Sequence, residues 1–404
     1  MKYLIILGDG MADYPVAALQ NRTPLEAADK PHMDALAAHG TMGLVRTVPQ
    51  GMPPGSDTAN MSVMGFPPRV YYSGRSPLEA VSLGIDVHPE DVTFRTNLVC
   101  LSEEADYTAR TMVDFSGGEI STPEAVELIE ALQLLFSDAD LQLYPGISYR
   151  HCLVKRNGST GTVLTPPHDI TGKPIAGYLP AGRYGARLLE LMKASADLLE
   201  NHPVNLARKA RGENPANSVW FWGEGTKPKL DPLEQLYGVR GGVVCAVDLI
   251  KGLGLCAGMR TVDVPGATGS MVTNYRGKAE AALRLLHDGC DLVYIHIEAP
   301  DECGHHGDAA AKVRAIEEID RNILGWLMEQ LDREGEAYRI LLTPDHPTPV
   351  SLMTHTDEPV PFVLYDSTAP TPDSGRRYSE AAAKAAGLFL PEGPLLMKRL
   401  LGRE

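Results

Sequence analysis

Strand-length apolar runs alternate with stretches of helical periodicity along most of this chain, and that alternation restricts the fold more than any other feature. The runs fall at residues 3–7, 219–222, 243–247, 292–297, 340–342 and 361–365. They are continuous rather than alternately apolar and polar, which suits strands covered on both faces. Between the last runs, Val313, Ile316, Ile319, Ile323, Leu327 and Leu331 recur at helical spacing behind a capping Asp308. Residues 274–287 and 184–199 read the same way. The expected class is α/β, with a largely parallel central sheet flanked by helices. Between about Pro89 and Gly212 the strands are weaker and Pro/Gly turns frequent, as in Leu164-Thr165-Pro166-Pro167-His168. This stretch reads as an inserted, smaller α+β domain over 89–212. It divides a discontinuous domain made of 1–88 and 213–404.

Composition excludes several classes. The 404 residues carry 37 Lys or Arg against 52 Asp or Glu, a net charge of −15, with no basic stripe. This balance argues against a nucleic-acid partner. It does not argue against a small anionic substrate, because local arginines or metal ions reverse the field inside a cleft. A hydrophobic content of 44% is ample for a core and excludes a disordered chain. No apolar run approaches the roughly 18 residues of a membrane span. The start, MKYLIILGDG, is too short in apolar residues for a signal peptide. Six scattered cysteines without a CxxC pair read as reduced thiols, and the expected location is the cytoplasm. Nothing in the sequence fixes an oligomeric state.

Metal-type ligands gather in four short segments, placed after predicted strands or their loops. They are Gly8-Asp9-Gly10, then Gly55-Ser56-Asp57-Thr58-Ala59-Asn60, then Asp301-Glu302-Cys303-Gly304-His305-His306-Gly307-Asp308, and finally Thr343-Pro344-Asp345-His346-Pro347-Thr348-Pro349 with the nearby His355. Open α/β sheets build their sites at the carboxyl ends of strands, so distant segments converge there. Taken singly, each is also what a cap or a turn looks like. Together they offer carboxylate, imidazole and hydroxyl, a set suited to Mn²⁺, Zn²⁺ or Mg²⁺ with no thiolate chemistry. The set suffices for two ions, and paired ions about 3.5–4 Å apart are a recurring device for phosphoryl transfer. A serine among the ligands becomes a nucleophile near neutral pH when its oxygen is metal-bound. Gly252-Leu253-Gly254-Leu255-Cys256-Ala257 imitates a dinucleotide fingerprint, but Asp263 comes too early for the ribose contact, and the glycines read as tight packing. No GxxxxGK[ST] loop is present.

These segments, in this order, resemble the alkaline phosphatase superfamily, and nearly the whole chain resembles the archaeal-type cofactor-independent phosphoglycerate mutases. The matching stretches are GDGMAD, MPPGSDTANMSVMG, YYSGRSPLEA, HPVN, PAN, residues 250–269, TNYRGKAEAAL, APDECGHHGD and PDHPTP. The resemblance implies a phosphatase-like core and a mobile inserted domain, with substrate in the cleft between them. It implies that Asp301, His305 and His355 hold one divalent ion, and that Asp9, Ser56, Asp345 and His346 hold a second. Mn²⁺ is the first choice, with Zn²⁺, Co²⁺ and Mg²⁺ as alternatives, and no 2,3-bisphosphoglycerate is required. Ser56 would accept the phosphoryl group of 3-phosphoglycerate and return it to the 2-hydroxyl, while domain closure excludes water. Asp57 is either a proton carrier beside Ser56 or a cap for the following segment. The small phosphorylated substrate needs fixed cations, for which Arg75, Arg95 and Arg150 are candidates, with His151 beside the last. One stretch departs from the archaeal pattern. Where an Arg-rich segment, Asp-Arg-Arg-Ala-Gly-Arg, is expected, this chain reads Val113-Asp114-Phe115-Ser116-Gly117-Gly118-Glu119-Ile120. The alternative function is a related metal-dependent phosphotransferase or phosphatase on another small metabolite, such as a homoserine kinase-like enzyme.

Overall fold

Strand Lys2–Gly8 carries four consecutive apolar residues, Leu4 to Leu7, and none is exposed. In the computed structural model, which describes residues 1–136 and 140–403, this strand lies inside an eight-stranded sheet. In spatial order the strands are Arg260–Val262, Gly241–Val244, Leu292–Ile297, Lys2–Gly8, Tyr338–Thr343, Val360–Asp366, Thr41–Val45 and Phe389–Leu390. Every pairing is parallel except those of Val360–Asp366, which runs against both of its neighbours. One face is covered by helices Pro31–His39 and Tyr275–His287 and by the helical stretch that begins with Ala309–Ile319. Their apolar side chains pack on Leu4, Ile6, Val293, Ile295, Ile340 and Leu342. Asp308 caps that stretch by accepting from the Ala311 amide at 2.8 Å. The stretch widens to a π-helical turn at Asp320–Gly325 before Trp326–Glu334. There the buried Asp320 carboxylate takes the amides of His32 and Met33 and so caps helix Pro31–His39.

The chain divides into two compact units, Met1–Tyr72 with Leu230–Glu404, and Ser73–Lys229. The boundaries expected at 88/89 and 212/213 are therefore corrected outward. Helix Ser76–Ser82 is tied to strand Val92–Leu101 through Ser76 Oγ, which meets Thr93 Oγ1 at 2.7 Å. Strand Ser218–Thr226 pairs along the same strand. The run at 219–222 thus belongs to the inserted unit and not to the parallel sheet. The run at 243–247 is also shorter than expected, because the strand ends at Val244 and helix Asp248–Cys256 follows. Gly252 and Gly254 lie in that helix, where a Cβ on Gly254 would stand 2.6 Å from Val243 Cγ2. Close packing accounts for the glycine.

The inserted unit is α+β. Its five-stranded sheet has the order Met112–Asp114, Val92–Leu101, Arg150–Lys155, Leu141–Tyr144, with Ser218–Thr226 also on Val92–Leu101, all antiparallel. Helices Thr122–Leu132 and Gly185–Leu199 bury Leu128, Leu132, Leu188 and Met192 against Phe94, Leu98, Leu153 and Phe221. In the arginine-free stretch at 113–120, strand Met112–Asp114 runs into a tight turn with Gly117, Gly118 and Glu119 all at positive φ. Arg208, itself buried, closes it by donating to the carbonyls of Gly117 and Gly118 at 2.9 and 3.2 Å. Among the described residues no helix is long and apolar enough to cross a membrane.

Candidate functional site

The carboxyl ends of three adjacent parallel strands deliver the ligand-bearing segments. Lys2–Gly8 leads into Asp9, Leu292–Ile297 into helix Ala299–His305, and Tyr338–Thr343 into Asp345 and His346. Asp301 and His305 lie one turn apart on the helix, so both face the same way. Ser56 opens helix Ser56–Val63 behind Gly55. The loop at Gly10 comes so close that a Cβ there would stand 2.6 Å from Asp301 Oδ1 and 2.5 Å from Thr348 Oγ1. Its φ of +59° also favours glycine.

The side chains meet in a tight arrangement. His346 Nε2 is 3.2 Å from Ser56 Oγ, 3.4 Å from Asp345 Oδ2 and 3.6 Å from Asp9 Oδ1. Asp301 Oδ2 is 3.2 Å from His305 Nε2, and its Oδ1 is 3.4 Å from His355 Nε2. The His346 and His355 rings lie 4.0 Å apart between centroids, which joins the two halves. Each half is oriented from behind. Asp345 Oδ1 accepts from the Gly10 and His346 amides at 3.1 and 2.9 Å, and its Oδ2 accepts from Asn60 Nδ2 at 2.8 Å. Asn60 also donates to the Ser56 carbonyl at 2.8 Å and accepts from the Tyr294 hydroxyl at 2.6 Å. Asp9 Oδ2 meets His296 Nε2 at 2.9 Å. His305 Nδ1 meets the Met353 carbonyl at 3.1 Å and so acts as the donor. Once its second proton is displaced, the ring offers its Nε2 lone pair to the cluster.

The electrostatics show what this cluster lacks. Burial, with the neighbouring carboxylates of Asp345, Asp301 and Glu298, pushes the Asp9 carboxyl well above the usual range. Burial would raise Asp301 too, but hydrogen bonds with His305 and His355 and the nearby His346 ring outweigh it and hold it low. The same hydrogen bond to Asp301 lifts His305 to about 9, against the effect of burial. A proton there takes the place of a cation. Asp9 Oδ1 is buried and has no hydrogen-bond partner. In two groups, Asp9 with Asp345 and His346, and Asp301 with His346 and His355, one donor atom per residue lies within 4.8 Å of the others. An orphaned carboxylate oxygen, unbalanced negative charge and an oxygen–nitrogen donor set fit divalent cations of the Mn²⁺, Zn²⁺ or Mg²⁺ type. His346 stands within reach of both groups and not of one alone.

The other candidates have partners of their own. Asp57 Oδ1 accepts from the Thr58 amide at 2.8 Å and its Oδ2 from the Tyr72 hydroxyl at 2.5 Å. Arg75, Arg95 and Arg150 are all in the inserted unit. Glu79 joins the first two, with Oε1 3.0 Å from Arg75 Nε and Oε2 2.7 Å from Arg95 Nε. Arg95 also stacks over the Trp222 ring at 4.1 Å. Arg150 is exposed over the Tyr149 ring. His151 corrects the expectation that it reaches a substrate. It faces the unit's own core, 4% exposed, and its Nδ1 accepts from the Gly146 amide at 3.0 Å. The strand alternation that turns Arg150 outward turns His151 inward.

Comparison with known proteins agrees with this geometry. The family described as 2,3-bisphosphoglycerate-independent phosphoglycerate mutase matches residues 37–205. A relative from Geobacter sulfurreducens, named a probable 2,3-bisphosphoglycerate-independent phosphoglycerate mutase, is 49% identical over 100% of both chains. The chain belongs to the 2,3-bisphosphoglycerate-independent phosphoglycerate mutase family. Two solved structures are similar throughout. One protein from Pyrococcus horikoshii has a TM-score of 0.82 at 30% identity, covering 100% of this chain and 98% of its own. The cofactor-independent phosphoglycerate mutase from Thermoplasma acidophilum has a TM-score of 0.66 at 28% identity, covering 100% and 99%.

For this member of the mutase family, sequence reasoning missed the residues that orient the cluster. His296 and Tyr294 lie inside an apolar strand and are masked by it. Lys312 and Asp13 form a fully buried pair at 2.7 Å, on a helix and a loop whose periodicity gives no sign of it. Asn60 and Thr348 stand within the ligand-rich segments, but only their partners reveal what they do.

Proposed function

We propose that this chain is a metal-dependent phosphoglycerate mutase. It interconverts 3-phosphoglycerate and 2-phosphoglycerate through a phosphoserine at Ser56 and is an isomerase by reaction class. The observation that carries the reading is the Ser56 hydroxyl, 3.2 Å from His346 Nε2 at the edge of a buried carboxylate–imidazole cluster. Asp9, Asp345 and His346, with Ser56, and Asp301, His305 and His355 are the proposed holders of two divalent ions, Mn²⁺ first. When bound, the ions lower the pKa of the serine hydroxyl and neutralise charge on the phosphoryl group.

Each remaining task falls to the chain's own residues. Asn60 fixes the backbone of Ser56 and the Asp345 carboxylate at once, so nucleophile and ligand keep one geometry. Ser56 Oγ attacks phosphorus as the bond to the 3-oxygen breaks. The departing oxygen takes up a proton, and the 2-hydroxyl then attacks phosphoserine in the reverse sense. Asp57, hydrogen-bonded to Tyr72, is the proposed proton carrier. Arg75, Arg95 and Arg150 are the proposed partners of the substrate's carboxylate and phosphate. Glu79 and Trp222 hold Arg95 in place, which lowers the entropy lost on binding.

A coupled assay on both phosphoglycerates, run without 2,3-bisphosphoglycerate, tests the reading. Interconversion is expected with Mn²⁺, should vanish after chelation and should return when Mn²⁺ is restored. Metal-loaded protein that fails to interconvert them, or transfers phosphate from ATP to homoserine instead, would contradict it.

A further inference from the structure

Thr348 Oγ1 lies 2.5 Å from Asp301 Oδ1 and 3.2 Å from His346 Nδ1. Asp301 belongs to one of the two ligand groups and His346 to both, so this one hydroxyl stands behind both groups. A threonine hydroxyl has a single proton. The Asp301 carboxylate is acceptor-only when ionised and takes that proton. The contact with His346 is then made by a ring N–H at Nδ1. This leaves the lone pair at Nε2, the atom that faces Ser56, Asp345 and Asp9. A proton on Nε2 would instead aim an N–H at the point where these donors converge.

The threonine is itself held firmly. It is fully buried. Its amide donates to the Ala12 carbonyl at 3.2 Å, and its carbonyl accepts from Lys312 Nζ at 2.9 Å. Lys312 also donates to the Ala12 carbonyl at 3.3 Å and pairs with Asp13. Glycines stand where the loop at Gly10 and helix Ala299–His305 approach it. A Cβ on Gly10 would stand 2.5 Å from Thr348 Oγ1, and one on Gly304 would stand 2.4 Å from the Thr348 carbonyl oxygen.

We infer that Thr348 is a positioning residue that fixes the tautomer of His346 and the orientation of Asp301 together, and so couples the two halves of the centre. The inference rests on the metal-centre reading given above. Removing a group that orients metal ligands from behind typically lowers metal affinity about 10–100-fold.

Mn²⁺ titration of the full chain, Thr348→Val and Thr348→Ser tests it, with ¹⁵N-histidine long-range NMR on the chelated protein. Thr348→Val should bind Mn²⁺ about 10–100-fold more weakly, and Thr348→Ser should keep the wild-type affinity. The wild-type spectrum should place the His346 proton on Nδ1, and Thr348→Val should move it to Nε2. A wild-type proton on Nε2 overturns the inference even if the valine variant does not fold. Two bound ions in wild type with undiminished affinity in Thr348→Val overturn it alone. A wild type that binds no Mn²⁺ overturns the metal-centre reading, and this inference falls with it.

Discussion

Ser56→Ala is expected to lower kcat by about 10⁴-fold or more, because the substitution removes the atom that receives the phosphoryl group. The rest of the centre should survive. Among the described residues Ser56 Oγ is hydrogen-bonded to the cluster through His346 Nε2 at 3.2 Å, and the carboxylates and imidazoles are oriented by other groups. Mn²⁺ binding should therefore persist, as should the unfolding midpoint. Loss of turnover with retained metal separates a missing nucleophile from a collapsed site. Mass spectrometry of protein quenched during turnover should find a phosphoryl group on Ser56 in wild type and none in the variant. An alanine variant that still interconverts the phosphoglycerates would remove Ser56 from the mechanism.

Lys312→Met should be the most destabilising single substitution near the centre. Lys312 and Asp13 are both fully buried, 2.7 Å apart. The ammonium also satisfies two backbone carbonyls, while Asp13 accepts from the amides of Tyr14 and Val350. Methionine keeps the volume but leaves a buried carboxylate without its counter-charge. Breaking such a pair from one side costs about 3–5 kcal/mol, whereas replacing both partners by apolar groups is often near neutral. Urea unfolding should therefore place Lys312→Met far below wild type and the double variant Lys312→Met/Asp13→Leu well above the single one. Equal losses in the single and double variants would show that packing, and not the charge pair, sets the stability here.

The parallel sheet was legible because the runs at 3–7 and 292–297 are nearly continuous in apolar residues and do not alternate with charged ones, so they require cover on both sides. Direction was not legible. The run at 361–365 is as apolar as its neighbours, yet it lies antiparallel, and an apolar run carries no sign of its direction. The edges of the insertion were missed for a related reason. Residues 219–222 look like another core strand, and only pairing with Val92–Leu101 assigns them to the inserted unit. In the cluster, the charged and imidazole residues stood out because most are gathered in short segments that follow the carboxyl ends of strands. His296, Thr348 and Lys312 did not, because their work depends on atoms brought near only by folding. His151 shows the converse, a polar residue beside an arginine whose strand position turns it into the core.

Anomalous diffraction from crystals soaked in Mn²⁺ tests the central claim most directly. Two peaks about 3.5–4 Å apart are expected, one beside Asp9, Asp345, His346 and Ser56 Oγ, the other beside Asp301, His305 and His355. No bound ion at this cluster, or ions that leave the serine oxygen out of coordinating reach, would contradict it.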